Sequence, residues 1–534
     1  MNLADEIKKH IKGEVLTDED SIQHASRDAS MFEVRPAMVV RPKDASDIKH
    51  LVNIVSRWKH EDINLSLTAR NGGTCMSGGG LNEGIIVDMN QLNHIGEVDE
   101  KNRLVKIQGG VMHLDLEKAT HPKGLFLASY TSSRDICGVG GMIGNDASGE
   151  KSVKYGPTSK NVQSLKVVLS DGEEYEFGPL NRKELEHKKS LPTFEGKIYR
   201  EMVKLLDDNK HLIDHHHPRV KKNSAGYALW QLWDEHHHTF NLARLFVGAQ
   251  GTLGIVSEAE LKLVPFSPAS RMIVAPIAKL SDLANVVQTM LKFNPVTCET
   301  FDHHTYDLAK MYHAEDASRA NVAEGQHMIV FAIYEGDNQQ VADTQAGKAK
   351  LALERGGYGV SWIDNPESVE SYLLIRRKSF KMLLEHPPAN TRAMPFIEDT
   401  IVDIEHYGEF LAALEAILSE YSLTYTYAGH IGDGSIRLVP LANMEQPNSA
   451  ETIMEIADRV YDLTLAFGGS IAVDHNDGII KTPYLEQMYG PEMVTLFAKV
   501  KELFDPLNVF NPGKKLGGSK DYALRHIIRE NTAH

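Results

Sequence analysis

Two glycine-rich runs constrain this chain more than any other feature. They are ARNGGTCMSGGG at 69–80 and CGVGGMIGNDASG at 137–149, each lying between segments that read as strands. Glycines let backbone N–H groups approach a phosphate closely and permit the positive φ angles of concave anion nests. One such run reads equally well as a tight turn. Two in one domain suggest a dinucleotide. The common cradles fail on spacing. Gly138 and Gly140 begin a G-x-G-x-x-G pattern, but Ile143 breaks it. No G-x-x-x-x-G-K-[ST] is present. The cradle must be of another kind.

The flanks of the runs are α/β. VVRP is a short strand ended by Pro42, and Asp44 or Ser46 can cap a helix with Ile48, Leu51, Val52 and Val55 on one face. INLSL alternates as a strand does, GIIVDM is a buried-type strand, and LVKIQGG leads into a helix near His113–Ala119. NVQSLKVVLSDGEEYEF reads as a hairpin turned at Asp171-Gly172. Glycine clustering falls off after about residue 268, where Pro265 and Pro268 mark a boundary. Beyond it, helices are expected over 281–293 and 341–356. A further helix places Ile453, Ile456, Ala457, Val460 and Leu463 inward and stops at Gly468-Gly469, and another is opened by Pro491 and ends before Pro506.

A chain of 534 residues is too long for one core, so two domains are the default. A net charge of −16 argues against nucleic-acid binding. No stretch is long and apolar enough for a membrane span, and MNLADEIKKHIKGEV reads as a charged helix rather than a signal peptide. Cys75, Cys137 and Cys298 lie far apart, forming neither a disulfide framework nor the ligand set of an iron–sulfur cluster. A cytoplasmic protein is expected. The HHH runs at 215–217 and 236–238 read as solvated loops.

RPKDASDI, ARNGGTCMSGGG, CGVGGMIGNDASGEKSVKYGPTSKNV and LFVGAQGTLGIVSEAEL, in that order and spacing, resemble the FAD-binding domain of the vanillyl-alcohol oxidase/PCMH flavoprotein superfamily. IRRKSF, FIEDTIVD, GHIGDGS, GGSIAVDHNDG and FDPLNVFNPGK resemble its D-lactate dehydrogenase/glycolate oxidase branch. The likeness covers about 35–265 and 370–516, and 270–365 holds no motif that can be placed. It implies an α+β fold. A helical segment (1–34) precedes a two-part PCMH-type FAD-binding domain (35–268). A mixed α/β cap, or substrate, domain with an antiparallel sheet follows (269–534). It also implies that the backbone of Arg70, Asn71, Gly72, Gly73, Thr74, Cys75 and Ser77 holds the FAD diphosphate. Ser132, Ser133, Gly138, Gly140, Gly141, Asn145 and Gly149 would line the FAD. Gly251, Gly254, Ile255 and Val256 would lie near the adenine, and Asn511 and Lys514 would return to the flavin edge. The first run holds no histidine for a covalent bond, so non-covalent FAD is expected.

Oxidising an alcohol carbon needs a base for the hydroxyl proton and a cation or metal for the carboxylate and the developing alkoxide. The branch resembled here draws these from two histidines seven residues apart and from a Glu-His pair. In this chain His430 matches the first histidine, but Arg437 stands at the second, and the pair is Asp474-His475. His475 is the expected base. His430 and Asp474 could still ligate a divalent ion, although a normal three-ligand site is not expected. Arg437, together with Arg376, offers another way to grip a carboxylate. The leading expectation is a dehydrogenase of small D-2-hydroxy acids such as D-lactate or glycolate. The alternatives are an enzyme for another alcohol, or an FAD-binding electron-transfer or scaffold subunit. Electrons would leave to oxygen, a quinone or a protein partner.

Overall fold

The computed structural model describes residues 2–61 and 64–530, and neither glycine run caps a Rossmann unit in it. Strand Leu67–Arg70 pairs in parallel with Ile85–Asp88, which pairs in parallel with Met38–Arg41. A parallel crossover usually carries a helix. Here the first glycine run itself makes the connection. Helix Ala45–Trp58 covers this sheet, with Asp44 as its cap and Ile48, Leu51, Val52 and Val55 fully buried, as the periodicity predicts. The INLSL strand is shifted: it runs over Leu67–Arg70, and Ile63 lies outside the described residues. The charged N-terminal helix ends at His10, and Glu14–Leu16 instead adds an antiparallel strand to Met38–Arg41. A strand of three residues is too short to show a period.

A second sheet is antiparallel, in the order Leu104–Gln108, Ile255–Lys262, Val162–Val168, Glu174–Phe177. Its last two strands are the expected hairpin, with Gly172 at φ 75° in the turn. The second glycine run enters helix Val139–Asn145 beside this sheet.

Strand Ala269–Ile277 begins an eight-stranded antiparallel sheet. One face buries helices Leu283–Leu291, Gln339–Arg355, Tyr407–Glu420 and Ser449–Ala466. The other face packs on Pro366–Glu385, His303–Tyr312 and Ala314–Ala320. The stretch 270–365, which holds no motif that can be placed, supplies four of these strands, along with the two helices expected there.

The chain then returns to its first half. Helix Leu485–Phe504 is broken at Gly490 (φ 74°) and restarts at Pro491, where the sequence places its opening. It lays Leu496, Phe497, Val500 and Phe504 into the core of the second sheet. Beyond it, Leu67 N–H donates to Val509 O (2.8 Å) and Asn511 N–H to Leu67 O (2.9 Å), so the C-terminal stretch pairs along the strand that leads into the first glycine run.

Phe497 stands edge-on to Tyr227 and Tyr489, at centroid distances of 5.7 and 5.4 Å, and is fully buried. Phe497→Ala should therefore lower the unfolding free energy by about 3–5 kcal/mol, the usual loss for a large core aromatic. Urea titration followed by circular dichroism measures it.

Candidate active site

The glycine runs face each other across a narrow cavity lined by Arg70–Cys75, Gly138, Gly140, Gly141, Asn145, Gly251, Gly254 and Val256. Some of these glycines are there for packing. A Cβ at Gly72 would overlap Ile136 O, and one at Gly140 would overlap Gly109 O. Others have no such reason. At Gly80, Gly141 and Gly144, all on the cavity wall, an added Cβ would meet nothing in the protein closer than 3.8 Å. Gly141 and Gly144 sit inside a helix, where glycine costs about 1 kcal/mol relative to alanine. Bare backbone on an open wall fits a ligand that needs the space, and a dinucleotide meets that description.

Four of the expected cofactor residues stand behind the wall. Ser77 Oγ donates to His475 O (2.7 Å), and Gly149 packs under Tyr130 O. Ile255 belongs to the core, and Asn511 Nδ2 donates to Gly79 O (2.9 Å) and Gln250 O (2.7 Å), tying two cradle loops together. Lys514 Nζ donates to Leu81 O (2.7 Å). Cys75, at the end of the cradle, is a free thiol that burial pushes up.

Thr74, Gly141 and Asn145 are shared with a second cavity of about 690 Å³. Ser132, Ser133, Arg376, Thr426, Ala428, Arg437, Val439, Asp474 and His475 line it. The structure thus brings the three expected catalytic residues to one chamber that opens onto the cradle. Arg376 comes from helix Pro366–Glu385, and Arg437 from strand Ser435–Ala442, opposite Ala428.

Asp474 and His475 lie on a loop shaped by Asp399. Its buried carboxylate accepts the N–H groups of Val473 (2.8 Å), Asp474 (2.8 Å) and His475 (2.9 Å). His475 Nδ1 bonds to Glu398, leaving Nε2 to the cavity. Burial raises the Glu398 carboxyl, but His475 and Lys481 outweigh it and hold it at about 2. FIEDTIVD is visible as a motif, but no sequence signal assigns Glu398 to His475, 77 positions away.

A second ionic group surrounds His430. Its Nδ1 donates to Glu299 Oε1 (2.7 Å), and Glu299 is paired with Arg376, whose Nη1 donates to Ser132 Oγ (3.0 Å). Burial pushes Glu299 up against the pull of Arg376. Burial, then Arg376, Lys222 and Arg437, hold His430 well below its usual range, so its ring is neutral. Arg437 Nη2 donates to Asp474 Oδ2 (3.0 Å) and approaches His430 Nε2 (3.4 Å). Burial raises Asp474, but Lys222 and Arg437 together keep it far below the carboxylate norm. Glu299 and Lys222 escaped the sequence reading. TCETFD looks like an ordinary buried strand, and Lys222 sits in a loop without a motif.

These donors do not fit a divalent ion. His430 and Asp474 are adjacent, with Nε2 and Oδ2 3.7 Å apart, but a guanidinium already bridges them. It carries only donors and permanent charge. Among the described residues, Glu398, Asp399 and His475 also bring their ligand atoms within 4.8 Å of one another. Lys481 Nζ lies 3.5 Å from Glu398 and 3.2 Å from Asp399, so that group holds its own cation.

Residues 36–178 match the FAD binding domain family, and residues 267–515 match the family "FAD linked oxidases, C-terminal domain". The chain is 30% identical over 519 residues to a D-2-hydroxyglutarate dehydrogenase of Pseudomonas putida, covering 94% of this chain and 50% of that protein. It spans about half the length of the D-2-hydroxyglutarate dehydrogenases it matches. It is 26% identical to the glycolate oxidase subunit GlcD of Bacillus subtilis, over 93% of this chain and 92% of that one. The fold is shared with 4-ethylphenol oxidase from Gulosibacter chungangensis, at a TM-score of 0.71 and 16% identity over 98% of both chains. With both family matches in chain order over this cradle and cap, the chain carries the domain pair of the FAD-linked oxidases, an FAD binding domain followed by their C-terminal domain.

Proposed function

We propose that the protein is an FAD-dependent dehydrogenase that oxidises a small 2-hydroxy acid at its CH–OH carbon. The observation that carries this reading is the His475–Glu398 dyad, which turns a ring nitrogen to a chamber that also holds Arg376 and Arg437. FAD would supply the hydride acceptor. Arg70–Cys75, Gly138, Gly140, Gly141, Asn145, Gly251, Gly254 and Val256 would hold it, with Ser77, Gly149, Ile255 and Asn511 supporting the loops.

Arg437 and Arg376 would orient the substrate carboxylate, since a guanidinium matches a carboxylate with parallel hydrogen bonds. Glu398 would accept a hydrogen bond from His475 Nδ1–H, which leaves the Nε2 lone pair to take the hydroxyl proton. Arg437 would then face the developing alkoxide. The intact dyad weighs against a subunit that only carries FAD. No described helix is long and apolar enough to cross a membrane. Three free thiols without a disulfide support our placement in the cytosol.

The purified protein should be yellow. Acid or heat should leave the FAD in the supernatant, because no histidine stands in the first glycine run. Flavin that precipitates with the chain would contradict non-covalent binding.

His475→Asn should keep FAD but slow its anaerobic reduction by 2-hydroxy acids about 10²–10⁴-fold, the usual contribution of a general base. Glu398→Gln should slow it similarly. Glu398 is depressed from 4.5 to about 2, so its stabilisation is fully present above pH 4.5 and vanishes as pH falls through about 2. The stability gap between the parent and Glu398→Gln should therefore narrow over that window in urea titrations.

Arg437→Ala should weaken binding of a 2-hydroxy or 2-oxo acid by about 2–5 kcal/mol, the range for truncating one partner of a buried charged pair. Titration of the flavin spectrum with an unreactive acid reads it.

A further inference from the structure

Asp474 gives both of its oxygens to cations. Oδ2 faces Arg437 Nη2 at 3.0 Å, while Oδ1 faces Lys222 Nζ at 3.1 Å and accepts from Ser148 Oγ. Lys222 lies in the loop between helix Lys210–His216 and the turn Leu229–Gln231 and is 4% exposed. Its ammonium also donates to Ser148 Oγ (2.6 Å) and lies 3.3 Å from Asp433 Oδ2. Two carboxylates, Asp474 and Asp433, thus lie within 3.3 Å of this buried ammonium and balance its charge.

The rest of the group has the form of a ligand set. His430 Nδ1 bonds to Glu299, which leaves the Nε2 lone pair toward Arg437 and Asp474; Arg376 Nη2 also lies 3.4 Å from Nε2, but its charge is already paired with Glu299. A carboxylate behind a histidine in this way is the usual support of a metal ligand. The Nε2–Oδ2 separation of 3.7 Å is near the edge of a tetrahedron with zinc bonds, about 3.3–3.4 Å. Only the third corner differs, and there the group is a guanidinium.

We infer that Lys222 and Arg437 act as a matched pair of single charges that together supply Asp474 with the charge a divalent cation would bring, one on each of its oxygens, with Arg437 in the seat between Oδ2 and His430 Nε2. Lys222 is thereby a positioning residue. It pins Asp474 from behind, so that Arg437 keeps its free N–H groups toward the chamber. The inference rests on the proposed reading of the chamber as the substrate site, but zinc uptake tests it without substrate.

The pairing predicts that both cations must go before an ion can enter. Arg437→His restores a third ligand, but leaves the Lys222 ammonium on Asp474. Arg437→His with Lys222→Met removes two positive charges and leaves room for one doubly charged ion. FAD-loaded parent and both variants are stripped with chelator and dialysed against micromolar zinc, and metal is then measured by elemental analysis with thermal shift alongside. The parent and Arg437→His should retain under about 0.1 equivalent, while the double variant retains about one and is stabilised by zinc. One equivalent in the parent or in Arg437→His would overturn the inference, and so would a folded double variant that takes up none. If the double variant loses its FAD, adding Asp433→Asn removes the stranded carboxylate and carries the same test. Flavin bleaching by a panel of 2-hydroxy acids, run on the parent, decides the substrate reading separately.

Discussion

The carboxylate of Asp399 holds the site together. Buried and at φ 70°, it accepts three consecutive backbone N–H groups, those of Val473, Asp474 and His475. Charge-assisted bonds of this kind are about twice as strong as neutral ones. They fix the carbonyl-to-side-chain geometry of the only two consecutive residues that face the chamber from this loop. A lone buried carboxylate would carry a desolvation penalty of several kcal/mol. Lys481, itself fully buried, offsets it. Ile401 and Ser470 exchange backbone hydrogen bonds at 3.0 and 2.9 Å, which ties the loop to the cap as well.

From that anchor, residues 474–478 reach every part of the cradle. Ser77 Oγ donates to His475 O, and Ser148 Oγ to Asp474. Asn476 Nδ2 donates to Asn145 O (3.1 Å) and Gly248 O (2.8 Å), and Gly478 N–H donates to Gln250 Oε1 (2.9 Å). Asn476 stands where the resembled pattern has glycine. It keeps the left-handed backbone, at φ 66°, which asparagine tolerates better than most residues. In exchange it gains a side chain that ties two loops. The proposed base and the cradle are therefore one hydrogen-bonded unit, although they come from opposite ends of the chain.

What was legible in the sequence was local. Asp171-Gly172 gives its turn, Asp44 its cap, and Pro491 its restart, because each is decided within a few residues. The glycine runs were legible as a cradle because two of them occur together. His475, Arg376 and Arg437 could be nominated because their motifs survive with single departures. Glu299, Glu398 and Lys222 could not. Each takes its role from a partner far along the chain, such as Glu299 with His430 across 131 positions. Within its own segment, Glu299 is one polar residue in a buried strand. Ser77 and Asn511 show the same limit from the other side. Their motifs point only to the FAD, whereas their side chains also brace the loops around the cradle.

A cation of fixed charge in place of a metal shifts the work within the site. A coordinated divalent ion acidifies the oxygen bound to it. A guanidinium supplies charge and directed N–H donors but forms no bond to that oxygen, so a substrate hydroxyl beside Arg437 keeps more of its ordinary reluctance to lose a proton. Under the proposed mechanism, the burden passes to His475. Glu398 suits that burden: at about 2, it stays ionised across any physiological pH and stabilises the imidazolium that forms when the proton arrives. Lys481 keeps that charge affordable in the interior while sitting on the far side, toward Asp399. On the proposed mechanism, the departure at Arg437 and the His475–Glu398 dyad are two halves of one arrangement, in which proton removal rests on a base rather than on a Lewis acid.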